Sequence, residues 1–148
     1  MKVALLHEEN ELRTFVVVLE TGDEAIGALT TCAGEYRLRA SQLTAIGAFE
    51  RAVVAYFDWA SKKYIHIPLN EQVEVLTLSG DLTLENQTPK VHAHVVLGKA
   101  DGTAHGGHLL EGYIRPTLEV IITELPRHLY RRHDPASGLA LIDPHINR

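Results

Sequence analysis

From Ser41 to Leu125 the chain carries β-type sequence almost without a break, and this most limits the folds open to it. "SQLTAIGAFERAVVAYFD" reads as two strands. "KKYIHIPL" alternates Ile65, Ile67 and Leu69 against Tyr64, His66 and Pro68, the pattern of a half-buried edge strand. "EQVEVLTLSGDLTLEN" is a long strand, bent or broken at Ser79-Gly80. "KVHAHVVL" and "TAHGGHLL" flank "GKADG", a hairpin loop signal with glycine at both ends. "TLEVIITEL", introduced by Pro116 and ended before Pro126, is the last strong strand.

Upstream the period changes. Phe15 to Leu19 is an apolar, β-branched run and predicts a buried strand, with Gly22 turning the chain after it. Ile26, Leu29, Cys32, Ala33 and Tyr36 then recur at three- and four-residue spacing, which places them on one helical face. Thr21 followed by Glu24 has capping-box spacing, and Asp23 and Glu24 suit the positive end of a helix dipole. One helix against many strands predicts an α+β fold: a bent, mostly antiparallel sheet, partly barrel-like, with one main helix. The 148 residues fit a single domain, 1–148, with its core at about 10–126. Residues 127–148, with Pro135, Gly138, Pro144 and little periodicity, read as a loop-rich tail in which Leu139 to Ile142 could pack on a neighbouring surface.

Composition narrows the function classes. Apolar residues make up 45% and charged residues 22%, as in a soluble globular protein. No apolar run approaches the roughly 20 residues of a membrane helix, so no membrane partner is expected. The stretch "MKVALLHEENELR" lacks a signal-peptide design, and the single Cys32 permits no internal disulfide; both point to the cytoplasm. Cys32 falls on the apolar helix face, which makes it a core residue rather than a nucleophile. The net charge of −5 argues against nucleic acid, whose binding depends on cation contacts to phosphate. "RHLYRRH", residues 127–133, is a local basic cluster that reads as a solvated face.

The hairpin holds the chemistry-bearing residues. His92, His94, His105 and His108 are four of nine histidines in the chain. Side chains alternate faces along a strand, so His92 and His94 point the same way. The third member depends on loop parity. A five-residue loop, Gly98 to Gly102, sets His92 opposite His108 and puts His92, His94 and His108 on one face; an even loop puts His105 there instead. A bulge at Gly106-Gly107 could switch parity partway along. Three neutral imidazoles with an open fourth position suit zinc or another divalent transition metal, and that position can hold a water or a substrate oxygen. Glu74 and Glu119 are carboxylates embedded in apolar strands. Each is a candidate acid/base, or an acceptor for the second N–H of a ligand histidine.

Taken in order, "EVLTLSGDLTL", "HAHVVLGKADGTAHGGHLLEG" and "TLEVIITEL" resemble the plant and prokaryote conserved domain (PPC, or PCC) family. "RTFVVVLETGDEAIGAL" resembles its opening strand, Gly-Asp and helix, and "LTAIGAFERAVVAYFD" its glycine-alanine strand pair. "YRRHDPASGLALID" resembles the tail of bacterial members. The resemblance covers about residues 10 to 143. It implies a compact α+β domain that assembles as a homotrimer. The family pattern of H-x-H followed by G-G-H-L falls on His92, His94 and His108, which implies His108 as the third ligand. The fold is also similar to that of acetolactate decarboxylase and of a zinc-dependent ester hydrolase, which hold zinc on three histidines. The implied role is binding of zinc and of a small oxygen-bearing ligand or substrate. DNA binding is the family's other association. This chain has no Arg-Gly-Arg-Pro core of an AT-hook, and its Glu71 to Leu76 stretch carries Gln72 where the plant Gly-Arg-Phe-Glu-Ile-Leu segment has arginine.

Overall fold

The structure is a computed structural model and describes residues 1–145. It is an α+β fold. The elements in chain order are β1 (Lys2–Glu9), β2 (Leu12–Glu20), α1 (Ala25–Glu35), β3 (Ser41–Asp58), β4 (Lys63–Leu69), β5 (Val73–Glu85), β6 (Thr88–Gly98), β7 (Ala104–Glu124), β8 (Tyr130–His133) and β9 (Ala140–Asp143). All strands join one sheet in the order β1-β2-β7-β3-β5-β8-β9, with β4 on β3 and β6 between β5 and β7. Every pairing is antiparallel except the single parallel contact of β8 with β5, at Leu84 and Tyr130.

Two long strands bend the sheet. β7 pairs with β3 from His108 to Glu124, with β6 at its start and with β2 at its end. β3, β5, β6 and β7 thereby close a partial ring of strands. Register shifts in the β3–β7 ladder, one of them at Leu109 to Glu111, supply the local twist. Inside lie Phe49, Leu43, Leu78, Leu82, Leu97, Ile114 and Leu118, all fully buried. Burying side chains of this size contributes roughly 1.5–3 kcal/mol each before chain entropy is counted.

The helix covers this core with Ala25, Leu29, Cys32 and Ala33, while Ile26 and Tyr36 pack at its margin. Its start differs from the capping-box expectation. Glu24 is itself the N-cap, and its carboxylate accepts from the backbone N–H groups of Ile26 and Gly27. The same carboxylate accepts from Gly112 N at 3.2 Å and so pins the helix to β7.

Other strand boundaries also depart from expectation. β3 is one strand of 18 residues, not two. β5 runs unbroken through Ser79-Gly80, and its irregularity lies instead between Val75 and Thr77. Gly80 is needed for another reason: a Cβ there would collide with the backbone oxygen of His92 on the neighbouring strand. Lys2 to Glu9, placed outside the expected core, pair along β2 as an exposed edge strand. The tail is loop-rich but not wholly irregular, because β8 and β9 form a short antiparallel pair docked on β5.

Candidate metal centre

The hairpin of β6 and β7 turns through residues 99–103, since Gly98 pairs with Ala104. The loop is odd, so the parity that groups His92, His94 and His108 holds. The register is two residues away from the expected one: His108 faces His94, not His92. His105 pairs with Leu97 and points to the other side, and no bulge interrupts the β6–β7 ladder at Gly106-Gly107. Gly107 instead allows close approach, because a Cβ there would lie 2.7 Å from the Ala55 carbonyl oxygen of β3.

One cross-strand row therefore runs Ser79, His94, His108, Ala55, and the next row sets Asp81 beside His92. Directly opposed residues have Cβ atoms about 4.5–5.5 Å apart, close enough for their rings to meet. The ring centroids of the three histidines are 5.1 to 5.5 Å from one another. Each offers a nitrogen within 4.8 Å of the others, and among the described residues this is the one such grouping of histidine, cysteine or carboxylate groups able to hold an ion.

The environment favours the neutral form of His94 and His108. Burial, then the charges of His92 and His94, with Lys90 and Arg131 adding to them, push His108 down to about 4. Burial and then His92 lower His94. A neutral imidazole is the form that donates a lone pair to a metal. Nδ1 of His108 is buried and has no hydrogen-bond partner among the described residues. Tyr64 of β4 stacks on the His108 ring at 4.9 Å and 25°, which fixes its plane. A buried orphan nitrogen on a stacked, neutral ring beside two more imidazoles is a donor set that fits a divalent transition metal.

Two residues missed in the sequence complete the surroundings. Asp81 Oδ2 lies 3.4 Å from His92 Nδ1. Arg131, whose side chain is 7% exposed, donates to Asp81 Oδ1 at 2.7 Å and lies 3.2 Å from the same His92 nitrogen. Burial pushes the Asp81 carboxyl up, but hydrogen bonds from His92 and Arg131 outweigh it and hold the group below its usual range. The sequence signal for Asp81 was parity: it faces His92 on the adjacent strand. Arg131 left no such signal, since it reaches the site from the tail.

The histidines open onto a cleft of about 900 Å³. Its apolar walls include Ile26 of the helix, Phe57 of β3, Leu109 of β7, and Leu139 and Leu141 from the tail. Glu74 and Glu119 are not brought there. Both are exposed on their strands, outside the histidine grouping and the cleft lining. Cys32 is buried at 1% exposure, as the core reading requires, and burial followed by the nearby Glu35 charge pushes its thiol up to about 11.

These features define a class: a small sheet-built domain whose central hairpin presents three histidines to one cleft. The chain belongs to the Plants and Prokaryotes Conserved (PCC) domain family, whose model matches residues 6–126. A metal-containing protein from Archaeoglobus fulgidus is 33% identical, with a TM-score of 0.82 over 86% of this chain and 91% of that one. A plant- and prokaryote-conserved protein from Pyrococcus horikoshii is 27% identical, with a TM-score of 0.84 over 96% and 94%. A structure from Bacteroides thetaiotaomicron, named as a candidate DNA-binding protein, shares the fold at 23% identity and a TM-score of 0.87, over 95% and 96%. A curated relative from Synechococcus sp. strain JA-3-3Ab, named bifunctional protein GlmU, is 31% identical over 140 residues, 93% of this chain. The chain spans only 21% of that relative's length.

Proposed function

We propose that this domain binds one divalent transition metal, zinc in the first instance, through His92, His94 and His108, and uses it to hold a small oxygen-bearing ligand. The observation that carries the reading is the convergence of three ring nitrogens within 4.8 Å at the mouth of a cleft. The metal content named for the Archaeoglobus protein supports it. Held by these histidines, such an ion would supply Lewis acidity toward a ligand oxygen. The chain's own residues do the rest: Asp81 orients His92, Tyr64 holds the plane of His108, and Leu109, Leu139 and Leu141 exclude water from the ligand's apolar side. With Glu74 and Glu119 outside the cleft, the proposed role is capture of the ligand, not acid/base turnover by those carboxylates.

Elemental analysis tests this. Protein purified without a metal-affinity tag and exposed to zinc retains one ion per chain, and the His92→Ala, His94→Ala and His108→Ala variants do not. No retained metal in the native protein overturns the reading.

The proposal includes a cytoplasmic homotrimer. No helix among the described residues is long and apolar enough to cross a membrane. Tyr56, Trp59 and Ile65 are more than half exposed on β3, β4 and their turn, and apolar surface of this kind marks a contact between chains. Association with DNA is the second reading, and the basic segment at residues 127–133 that would serve it is partly spent. Arg131 is turned inward and Arg132 pairs with Asp143 at 2.9 Å. Retardation of duplex DNA that fades steeply with added salt would restore that reading.

A further inference from the structure

The family match ends at residue 126, yet the cleft does not. Strands β8 and β9 and the turn between them lie beyond it and supply Arg131, Leu139, Ala140 and Leu141 to the lining. A guanidinium with a side chain only 7% exposed is anchored by all three of its nitrogens. Nε donates to Thr83 Oγ1 at 2.8 Å and Nη1 to the Ala140 carbonyl oxygen at 2.8 Å. Nη2 donates to Asp81 Oδ1 at 2.7 Å. One arginine thus ties β5, β9 and its own strand together beside a histidine of the centre.

We propose that Arg131 is a positioning residue of the histidine centre, which through Asp81 fixes the ring nitrogen that His92 presents to the cleft. The purpose of this device rests on the metal-binding reading, but its first test does not. Neutral imidazole carries one proton, on either Nδ1 or Nε2. His92 Nδ1 faces a donor that has no lone pair to offer, Arg131, and an acceptor, Asp81. Arg131 Nη2 makes its short, charge-assisted bond to Asp81 Oδ1 at 2.7 Å, and its contact with the ring nitrogen is the longer one, at 3.2 Å. Asp81 Oδ2 stands 3.4 Å from Nδ1 and, having no proton to donate when ionised, is the group this proposal assigns to the Nδ1 proton. The lone pair then sits on Nε2, free for a ligand role. Remove the fork and Asp81 loses the partner that sets its orientation. His92 is then free to take the Nε2–H tautomer, whose proton blocks that role. Partners of this kind fix the tautomer of metal-binding histidines, and their loss typically costs 10–100-fold in metal affinity.

The direct readout is the tautomer of His92 in the metal-free, full-length protein, by long-range proton–nitrogen correlation of its imidazole, with His92→Gln to assign the signals. The wild type shows the proton on Nδ1, and Arg131→Met and Asp81→Asn shift it toward Nε2. Arg132 lies on the same strand, and its exposed side chain pairs with Asp143 away from the histidines, so Arg132→Met leaves the tautomer unchanged. That variant separates positioning from general loosening of the tail, and Asp81→Asn tests the same link without altering β8. Zinc competition against a chromophoric chelator then shows affinity falling about 10–100-fold in Arg131→Met. A wild-type ring protonated on Nε2 overturns the inference, as does an unaltered tautomer and affinity in a folded Arg131→Met. A wild type that binds no zinc yet shows the tautomer shift overturns the metal reading and supports the positioning role.

Discussion

A missing methyl group decides how close the histidines can come to the neighbouring strand. At Gly107 the backbones of β7 and β3 are near enough that a Cβ would stand 2.7 Å from the Ala55 carbonyl oxygen. A main-chain oxygen in a ladder cannot step aside, so Gly107→Ala must part the strands next to His108. Overpacking of this type costs about 1–3 kcal/mol, and the denaturant midpoint should fall accordingly. Gly34 is the counter-case. It lies in the helix with nothing within 4 Å of its absent Cβ. Gly34→Ala should raise the midpoint, by about 0.5–1 kcal/mol, because alanine loses less chain entropy on entering a helix. A fall for Gly34→Ala, or no change for Gly107→Ala, would show that contact geometry is not what places these glycines. Cys32 offers a third test at this scale. With its thiol buried and pushed up to about 11, it should react with an aromatic disulfide reagent only as the chain unfolds. Rapid labelling of the folded protein would contradict the core assignment.

At the scale of elements, the helix depends on one carboxylate. Glu24 caps the first turn and also accepts from Gly112 N, so it sets both the start of α1 and its seat on β7. Glu24→Ala should cost about 1–2 kcal/mol, the upper part of the range for caps, in equilibrium unfolding. Glu24→Gln, which keeps one acceptor oxygen, should cost less. The sequence announced the helix through its spacing but not this cap, because capping-box spacing at Thr21 and Glu24 mimics a start three residues too early. The strands show the same division. Period-two alternation and β-branched runs revealed β2, β5, β6 and the two ends of β7. Those ends were read as separate strands on either side of Pro116 and are one strand of 21 residues. Loop parity grouped the three histidines on one face. The two-residue register error at His108 arose because a glycine was taken as the loop boundary when Gly98 still pairs with Ala104. β1 carried no alternation to read, since it is an edge strand exposed along almost its whole length. The tail was illegible for a related reason: four-residue strands bury too few side chains to imprint a pattern. Arg131 was therefore assigned to a solvated basic face when it is an anchor, and attention to Glu74 and Glu119 passed over Asp81, the carboxylate that lies beside His92.

At the scale of the whole molecule, the proposed assembly and the proposed metal occupancy would each add to stability, and they can be separated. Tyr56 and Ile65 are directly paired across β3 and β4 and exposed at 64% and 53%. Placing a carboxylate at both positions, Tyr56→Asp with Ile65→Asp, should reduce a species of three times the chain mass to a single chain in light scattering, with the histidine cluster intact. A native protein that is already a single chain would remove the trimer from the proposal. The metal contribution follows from linkage. An ion that binds the folded chain and not the unfolded one stabilises by about 2.7 kcal/mol when its free concentration is 100 times Kd. For a domain of this size each kcal/mol moves Tm by about 2–4 °C, so zinc should raise Tm by about 5–10 °C. Chelation should reverse the rise. His94→Ala should abolish it, because His94 is the most exposed of the three, so its removal takes away a ligand with little loss of packing. The metal-free melting point of His94→Ala should accordingly match that of the metal-free wild type. Equal zinc shifts in the variant and the native protein would mean that the ion binds elsewhere on the chain, and the three-histidine centre would lose its claim to it.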